Sequence, residues 1–144
     1  MGSNKLAHTV WECKYHFVWI PKNRRKVLYG KLRAEIGRYL RKLCEYKGIE
    51  IHEGSACSDH IHMFVSIPPK YSVSSIAGYL KGKSAIMVFE RHSNLKQNFR
   101  GHHFWARGYY VCTVGRNEEQ IRKYIRDQQE NDDLEEGMSG SVVK

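Results

Sequence analysis

Long apolar runs are missing from this chain. No stretch approaches the roughly 18 residues that a membrane-spanning helix needs, and the first residues lack the charged-then-apolar layout of a secretion signal. The expectation is a soluble, intracellular protein with no membrane contact. Cysteine is sparse as well. Cys13, Cys44, Cys57 and Cys112 stand far apart with no C-x-x-C spacing, which argues against a zinc knuckle or a redox pair and for reduced, partly buried thiols. Acidic residues are scarce over most of the length: residues 1–115 hold 19 basic against 7 acidic side chains, while residues 116–144 hold 5 against 8. A net charge of +9 and a pI near 9.5 point to a polyanionic partner, nucleic acid first, rather than to an acidic small molecule.

What is present suffices for one ordinary domain. At 144 residues and 41% hydrophobic content the chain can build one core, expected over residues 1–130, and no internal repeat divides it. Residues 131–144 turn acidic and then small and polar, the composition of a disordered tail. Val10–Ile20 is β-branched and aromatic and closes at Pro21, which predicts a strand. Leu32, Ile36, Tyr39, Leu40, Leu43 and Tyr46 recur at helical spacing between Leu28 and Lys47, with Gly48 as the stop. Ile49–Ala56 and His60–Ile67 read as a hairpin. A second helix runs from a Ser72 or Ser74 cap to about Arg91, and Phe104–Val114 reads as a fourth strand. The order βαββαβ predicts an α+β, ferredoxin-like antiparallel sheet with two helices on one face. Beyond Gly115, Asn117 caps a further helix, with Glu118 and Glu119 at its positive end and Gln120 at capping-box spacing.

Two features carry chemistry. In Asp59-His60-Ile61-His62-Met63 the strand period of two puts both histidines on one face and Ile61 and Met63 in the core. Two imidazoles so placed can hold a metal ion, although the pattern also suits histidines on a polar sheet face. On the last helix, Tyr124 and Gln128 are one turn apart. They also belong to the stripe Ile121, Tyr124, Ile125, Gln128, which fits a packing face equally well. The features complement each other. A tyrosine hydroxyl, with a reference pKa of about 10, attacks a phosphodiester only if a cation strengthens the electrophile.

These segments, D-H-I-H-M and Y-x-x-x-Q, together with C-K-Y-H-F-V-W, Y-L-K-G-K-S and F-W-A-R-G-Y-Y-V-C-T-V-G, resemble the HUH single-tyrosine transposases of the insertion sequence 200/605 family over roughly Trp11 to Gln129. The resemblance implies that His60 and His62 bind the metal, that Gln128 completes its ligation and that Tyr124 is the nucleophile. It implies cleavage and rejoining of single-stranded DNA at element ends through a 5′-phosphotyrosine with a free 3′-OH, recognition of DNA hairpins, and an intertwined homodimer in a bacterial or archaeal cell. In that dimer a tyrosine helix can serve the partner's histidines, and Gly115 is a candidate joint. Imidazole softness alone suggests zinc, nickel or iron; the resemblance implies magnesium or manganese, which exchange water readily for phosphate oxygens.

Candidate DNA contacts are Lys22, Arg24, Arg25 and Lys26 after the first strand, Lys81 and Lys83 in the second helix, and Arg100 and Arg107 around the fourth strand. Gly82 between the two lysines costs the helix about 1 kcal/mol relative to alanine, a cost that close backbone or DNA approach would explain. Trp105, Tyr109 and Tyr110 near Arg107 could stack on unpaired bases. Two alternatives remain. A non-catalytic single-stranded nucleic-acid-binding module shares the fold class, but the RNA-recognition signature is absent and a binder has no use for the histidines and tyrosine together. A domesticated transposase acting on repeated chromosomal hairpins keeps the same site; relaxases and replication initiators carry extra domains that 144 residues do not hold.

Overall fold

Strand alternation organises the molecule around its central hairpin. The computed structural model describes residues 4–6, 9–11, 13–99, 103–115 and 117–129. Two short strands, Asn4–Leu6 (β1) and Thr9–Trp11 (β2), pair only with each other. Lys14–Trp19 (β3) leads into helix α1 (Gly30–Lys47); Glu50–Cys57 (β4) and His60–Ser66 (β5) form the hairpin; helix α2 (Val73–Arg91) and Tyr110–Thr113 (β6) follow. A third helix, α3, spans 118–129. The main sheet is antiparallel in the order β4-β5-β3-β6, the order of a ferredoxin-like βαββαβ unit.

The main core lies between one sheet face and α1 and α2. Phe17, Trp19, Ile61, Met63 and Val65 from the strands meet Ile36, Leu40 and Leu43 of α1 and Ile76, Leu80 and Val88 of α2. Gly48 ends α1 in the left-handed conformation (φ 70°), its N–H returning to the carbonyls of Cys44 and Glu45. Ser72 caps α2 by accepting from the Ser75 N–H. The four cysteines form no disulfide with one another, and Cys44 and Cys57 are buried. Among the described residues no helix is long and apolar enough to cross a membrane. Residues 131–144, expected as a tail, lie outside the described part, as does Arg100.

Three elements differ from the sequence reading. The first strand is not continuous from Val10 to Ile20, because the chain changes partner between Trp11 and Lys14. Helix α1 begins at Gly30 rather than Leu28, since Tyr29 is extended (φ −124°, ψ 156°), and the Leu28 N–H bonds the Ser58 carbonyl, tying the segment to the hairpin turn. The fourth strand is shorter than Phe104–Val114. Its first part runs beside the end of β3, with Lys22 and Ala106 N–H groups bonded to the Phe104 and Ile20 carbonyls, but Gly108 at φ +79° breaks the extended run before β6. Asn117 does precede α3, yet its side chain reaches back to the Gly115 N–H instead of forward into the helix.

A bulge in β4 sets which of its side chains face the two histidines. The register steps from Ile51↔Val65 to Glu53↔Phe64, so His52 is an extra residue and the parity of the strand flips. Ile51 packs against the main core, whereas Ser55 and Cys57 stand directly across from His62 and His60 on the opposite face. Neither close backbone approach within the chain nor a special conformation accounts for Gly82: a Cβ there would meet no protein atom within 4 Å. Gly82→Ala should therefore raise stability by about 0.5–1 kcal/mol in urea unfolding. A loss of stability would show that the site is not open.

Candidate active site

The face of the sheet away from α1 and α2 carries a second, smaller core. Phe64 of β5 and Val114 pack with Ile125 of α3, and Ile121 joins them. This contact uses only part of the stripe noted in the sequence. Ile121 and Ile125 turn to the sheet, and Tyr124 is left at the margin, 49% exposed, with its ring 5.5 Å from that of His62 and 6.5 Å from that of His16, near perpendicular to both.

His60 and His62 project from the same side of β5, ring centroids 4.5 Å apart. Each has its Nδ1 engaged. His60 Nδ1 meets Asp59 Oδ1 at 2.6 Å, and the other Asp59 oxygen accepts from Arg24 Nε at 3.1 Å. Burial pushes the Asp59 carboxyl up, but the bond to His60 and the charge of Arg24 outweigh it and hold the carboxyl below the usual range. His62 Nδ1 lies 3.1 Å from Nε2 of His16, and the two rings stack within 6° of parallel. His62 is 4% exposed; burial first, then the neighbouring imidazoles, push its pKa down to about 3. Burial likewise lowers His16. Ser55 Oγ, cross-strand from His62, is buried without a hydrogen-bond partner among the described residues.

Gln128 comes down beside Cys57, the cross-strand neighbour of His60, and its main-chain carbonyl accepts from Cys57 Sγ at 3.6 Å. The next residue, Gln129, uses its side-chain oxygen on the Ala56 N–H at 2.8 Å. Among the described residues no group of three His, Cys, Asp or Glu side chains is arranged to hold a metal ion. An ion at this place could draw on the two imidazole Nε2 atoms, that of His62 kept unprotonated by burial, and on oxygen donors such as the Gln128 amide.

The basic candidates are spread over several tasks. Arg24 is committed to Asp59, and Arg25 sits over the Phe99 ring at 4.9 Å. Lys81 Nζ donates to the carbonyls of Ala106 and Gly108, clamping α2 to the segment before β6, and burial lowers its pKa. Lys26, Lys83 and Arg107 are exposed. Arg107 shares a cavity of about 320 Å³ with Lys81, Gly82 and His103. Trp105 is core, its indole N–H bonded to Ser84 Oγ, whereas Tyr109 and Tyr110 are exposed. A second cavity of about 420 Å³ opens beside His62 and Ser55 and is lined by Arg33, Arg38 and Arg41 of α1. Sequence reasoning passed over those arginines, His16, and Asp59 as a partner for His60. Asp59 adjoins the histidine motif, and His16 is a polar ring next to the apolar run Phe17-Val18-Trp19.

The fold and site define a ferredoxin-like protein with paired strand imidazoles under a helix-borne phenol. Comparisons agree. The family model described as "Transposase IS200 like" matches residues 9–128. The transposase for insertion sequence element IS200 of Salmonella typhimurium is 54% identical over 140 residues, covering 96% of this chain and 92% of the relative. The ISDra2 transposase TnpA of Deinococcus radiodurans is 31% identical over 124 residues, covering 85% and 89%. A crystal structure of a transposase candidate from Deinococcus radiodurans R1 superposes with a TM-score of 0.73 at 28% identity over 88% of this chain and 98% of the other. A REP-associated tyrosine transposase bound to a REP hairpin shares the fold, with a TM-score of 0.60 at 15% identity over 85% and 70%. The chain belongs to the IS200-like transposase family, the single-tyrosine HUH transposases.

Docking of α3 rests in part on a nearly buried Lys14, whose ammonium meets Glu118 Oε1 at 2.8 Å, with Arg122 at 3.1 Å from the other oxygen. The Lys14 bond first, then the charges of Lys14 and Arg122, hold the Glu118 carboxyl below its usual range against the opposing effect of burial. A depressed carboxyl contributes stability that is present above the unfolded value of about 4.3 and is lost as pH falls through the lower folded value. Protection of the amides across residues 118–129, taken relative to the intrinsic exchange rate at each pH, should fall in acid in the native chain. In Glu118→Gln that protection should be low already at neutral pH and lose its acid dependence.

Proposed function

We propose that the chain cleaves and rejoins single-stranded DNA at insertion-sequence ends, with the Tyr124 hydroxyl as nucleophile and a magnesium or manganese ion held by His60, His62 and Gln128. The observation that carries this reading is the place of Tyr124: half exposed, on a helix whose apolar residues are already satisfied, with its ring over the buried His62. A phenol needed only for packing has no reason to stand there.

In the proposed step Tyr124 Oη bonds to the scissile phosphorus and the bond to the 3′ oxygen breaks. The 5′ phosphate stays on the tyrosine, the phenol proton is given up, and the departing 3′ oxygen takes a proton to become a free hydroxyl. Attack by a 3′-OH on the phosphotyrosine reverses the step, so the bond energy is kept and no nucleotide triphosphate is needed. A divalent ion held there would supply Lewis-acid stabilisation where charge gathers on the phosphate. His60, fixed by Asp59, and His62, kept neutral by burial, would hold it through their Nε2 atoms, and α3 sets the distance of the phenol.

Recognition of DNA hairpins and a homodimer complete the proposal. Joining two ends requires two phosphotyrosines at once, hence two chains with one Tyr124 each. Exposed Lys26, Lys83, Arg107 and Tyr110 are the surface groups offered to phosphates and unpaired bases.

Incubation of the full chain with labelled hairpin-bearing single strands and magnesium should yield a covalent protein–DNA adduct that survives denaturation. Tyr124→Phe should form none. His60→Ala and His62→Ala should each slow its formation by about a hundredfold or more, as loss of a transition-state contact does, and a chelator should do the same to the native chain. Binding of the strands without any adduct would leave a non-catalytic module instead.

A further inference from the structure

The metal reading leaves a third imidazole unused, and it is among the most constrained side chains of the site. His16 lies on β3, diagonal to His62; its register partners are Phe64 on one side and Cys112 on the other. It is 5% exposed. Its Nε2 is 3.1 Å from His62 Nδ1, and its Nδ1 faces Cys112 Sγ at 4.0 Å.

Two nitrogens in contact share one proton, and which one carries it decides what His62 can do. If His16 Nε2 carries it, His62 Nδ1 accepts, and a neutral His62 must carry its own proton on Nε2, where it has no lone pair to offer. If His62 Nδ1 carries it, His16 Nε2 accepts, His16 keeps its proton on Nδ1 toward the Cys112 sulfur, and His62 Nε2 presents a lone pair. His60 offers a precedent within the same motif. The Asp59 carboxylate only accepts, so His60 donates from Nδ1, which leaves Nε2 as the nitrogen that can face an ion.

We propose that His16 is a positioning residue that holds His62 in the Nδ1-protonated form and aims its Nε2 lone pair at a divalent ion. It plays for His62 the part that Asp59 plays for His60, the outer partner that metal-binding histidines commonly have. The proposal rests on the reading that His60 and His62 hold the ion. His16 is not a further ligand, because its Nε2 is spent on His62 and its Nδ1 points away to β6.

A packing role and a positioning role predict opposite orders for two substitutions. His16→Phe keeps the flat ring and the stack on His62 but offers no acceptor. His16→Gln loses the ring but can place an amide oxygen near the former Nε2. Titration of the full chain with Mn2+, followed by electron paramagnetic resonance, should show binding in the native protein that His60→Ala abolishes; failure there would overturn the site reading and this proposal with it. Given that binding, His16→Phe should weaken Mn2+ affinity by about tenfold or more and His16→Gln by no more than about threefold, while thermal unfolding without metal stays close to native for His16→Phe. Equal effects, or the reverse order, overturn the positioning role and leave the site reading intact. The unaltered, metal-free chain gives a check that does not depend on any variant folding. Imidazole nitrogen resonances should place the His62 proton on Nδ1, and a proton on Nε2 would overturn the proposal.

Discussion

Burial of β5 on both faces is the constraint on which the site depends. Ile61, Met63 and Val65 fill the main core, while His62 and Phe64 are covered from the other side. A strand with period two that is buried twice has no free register. A slip of one residue would drive both histidines into the apolar core and turn Ile61 and Met63 toward α3. The hairpin turn is pinned accordingly: the Ser58 carbonyl accepts from the Leu28 N–H and Asp59 pairs with Arg24, so the segment after β3 holds the turn that sets the histidines.

The two sides of β5 are not equally strong. The main core unites the sheet with both long helices, whereas α3 is held by Phe64, Val114, Ile125 and Ile121 and by polar ties such as Lys14–Glu118 and Ala56–Gln129. Full burial of one isoleucine contributes about 1.5–3 kcal/mol, and the Lys14 pair recovers part of a desolvation cost rather than adding freely to stability. By this reckoning α3 is, of the three helices, the one that opens at least cost, and it is the one that carries the phenol. The imidazoles stay with the rigid sheet. Any movement of the phenol and the fixity of the histidine pair would thereby be separated into different parts of the fold.

Much of this architecture was legible in the residues because the periods are strong. The alternation around His60 and His62 and the stripe from Leu32 to Leu43 needed no tertiary information to be placed on a strand and a helix. What was not legible depends on pairing between distant segments. His16 is 46 positions from His62, and nothing local in C-K-Y-H-F-V-W says which ring it will meet. The bulge at His52, which brings Ser55 and Cys57 to the histidine face, is set by competition between the β4 side chains for two environments. Gly108, which cuts the fourth strand short, looked like one more small residue in an aromatic run. The stripe on α3 was ambiguous for a related reason: helical spacing says which residues share a face, and only the width of the receiving surface decides that Ile125 is inside it and Tyr124 at its edge.

The cost of burying His62 has a direction. Sheet, helix and two neighbouring imidazoles together make protonation of this ring so unfavourable that it stays neutral far below ordinary pH. An uncharged nitrogen is what a cation requires, but neutral nitrogens alone are weak hosts for a hard, oxygen-seeking ion. On the proposed reading the missing oxygens are those of the DNA phosphate, and the unpartnered Ser55 hydroxyl next to His62 has an acceptor within the same space. Ion and strand would then each complete the other's site, and by linkage each would raise the affinity of the other by the same factor. On that reading an ion bound by the chain alone would be held more firmly once a flexible single strand brings a phosphate down to the buried face of β5.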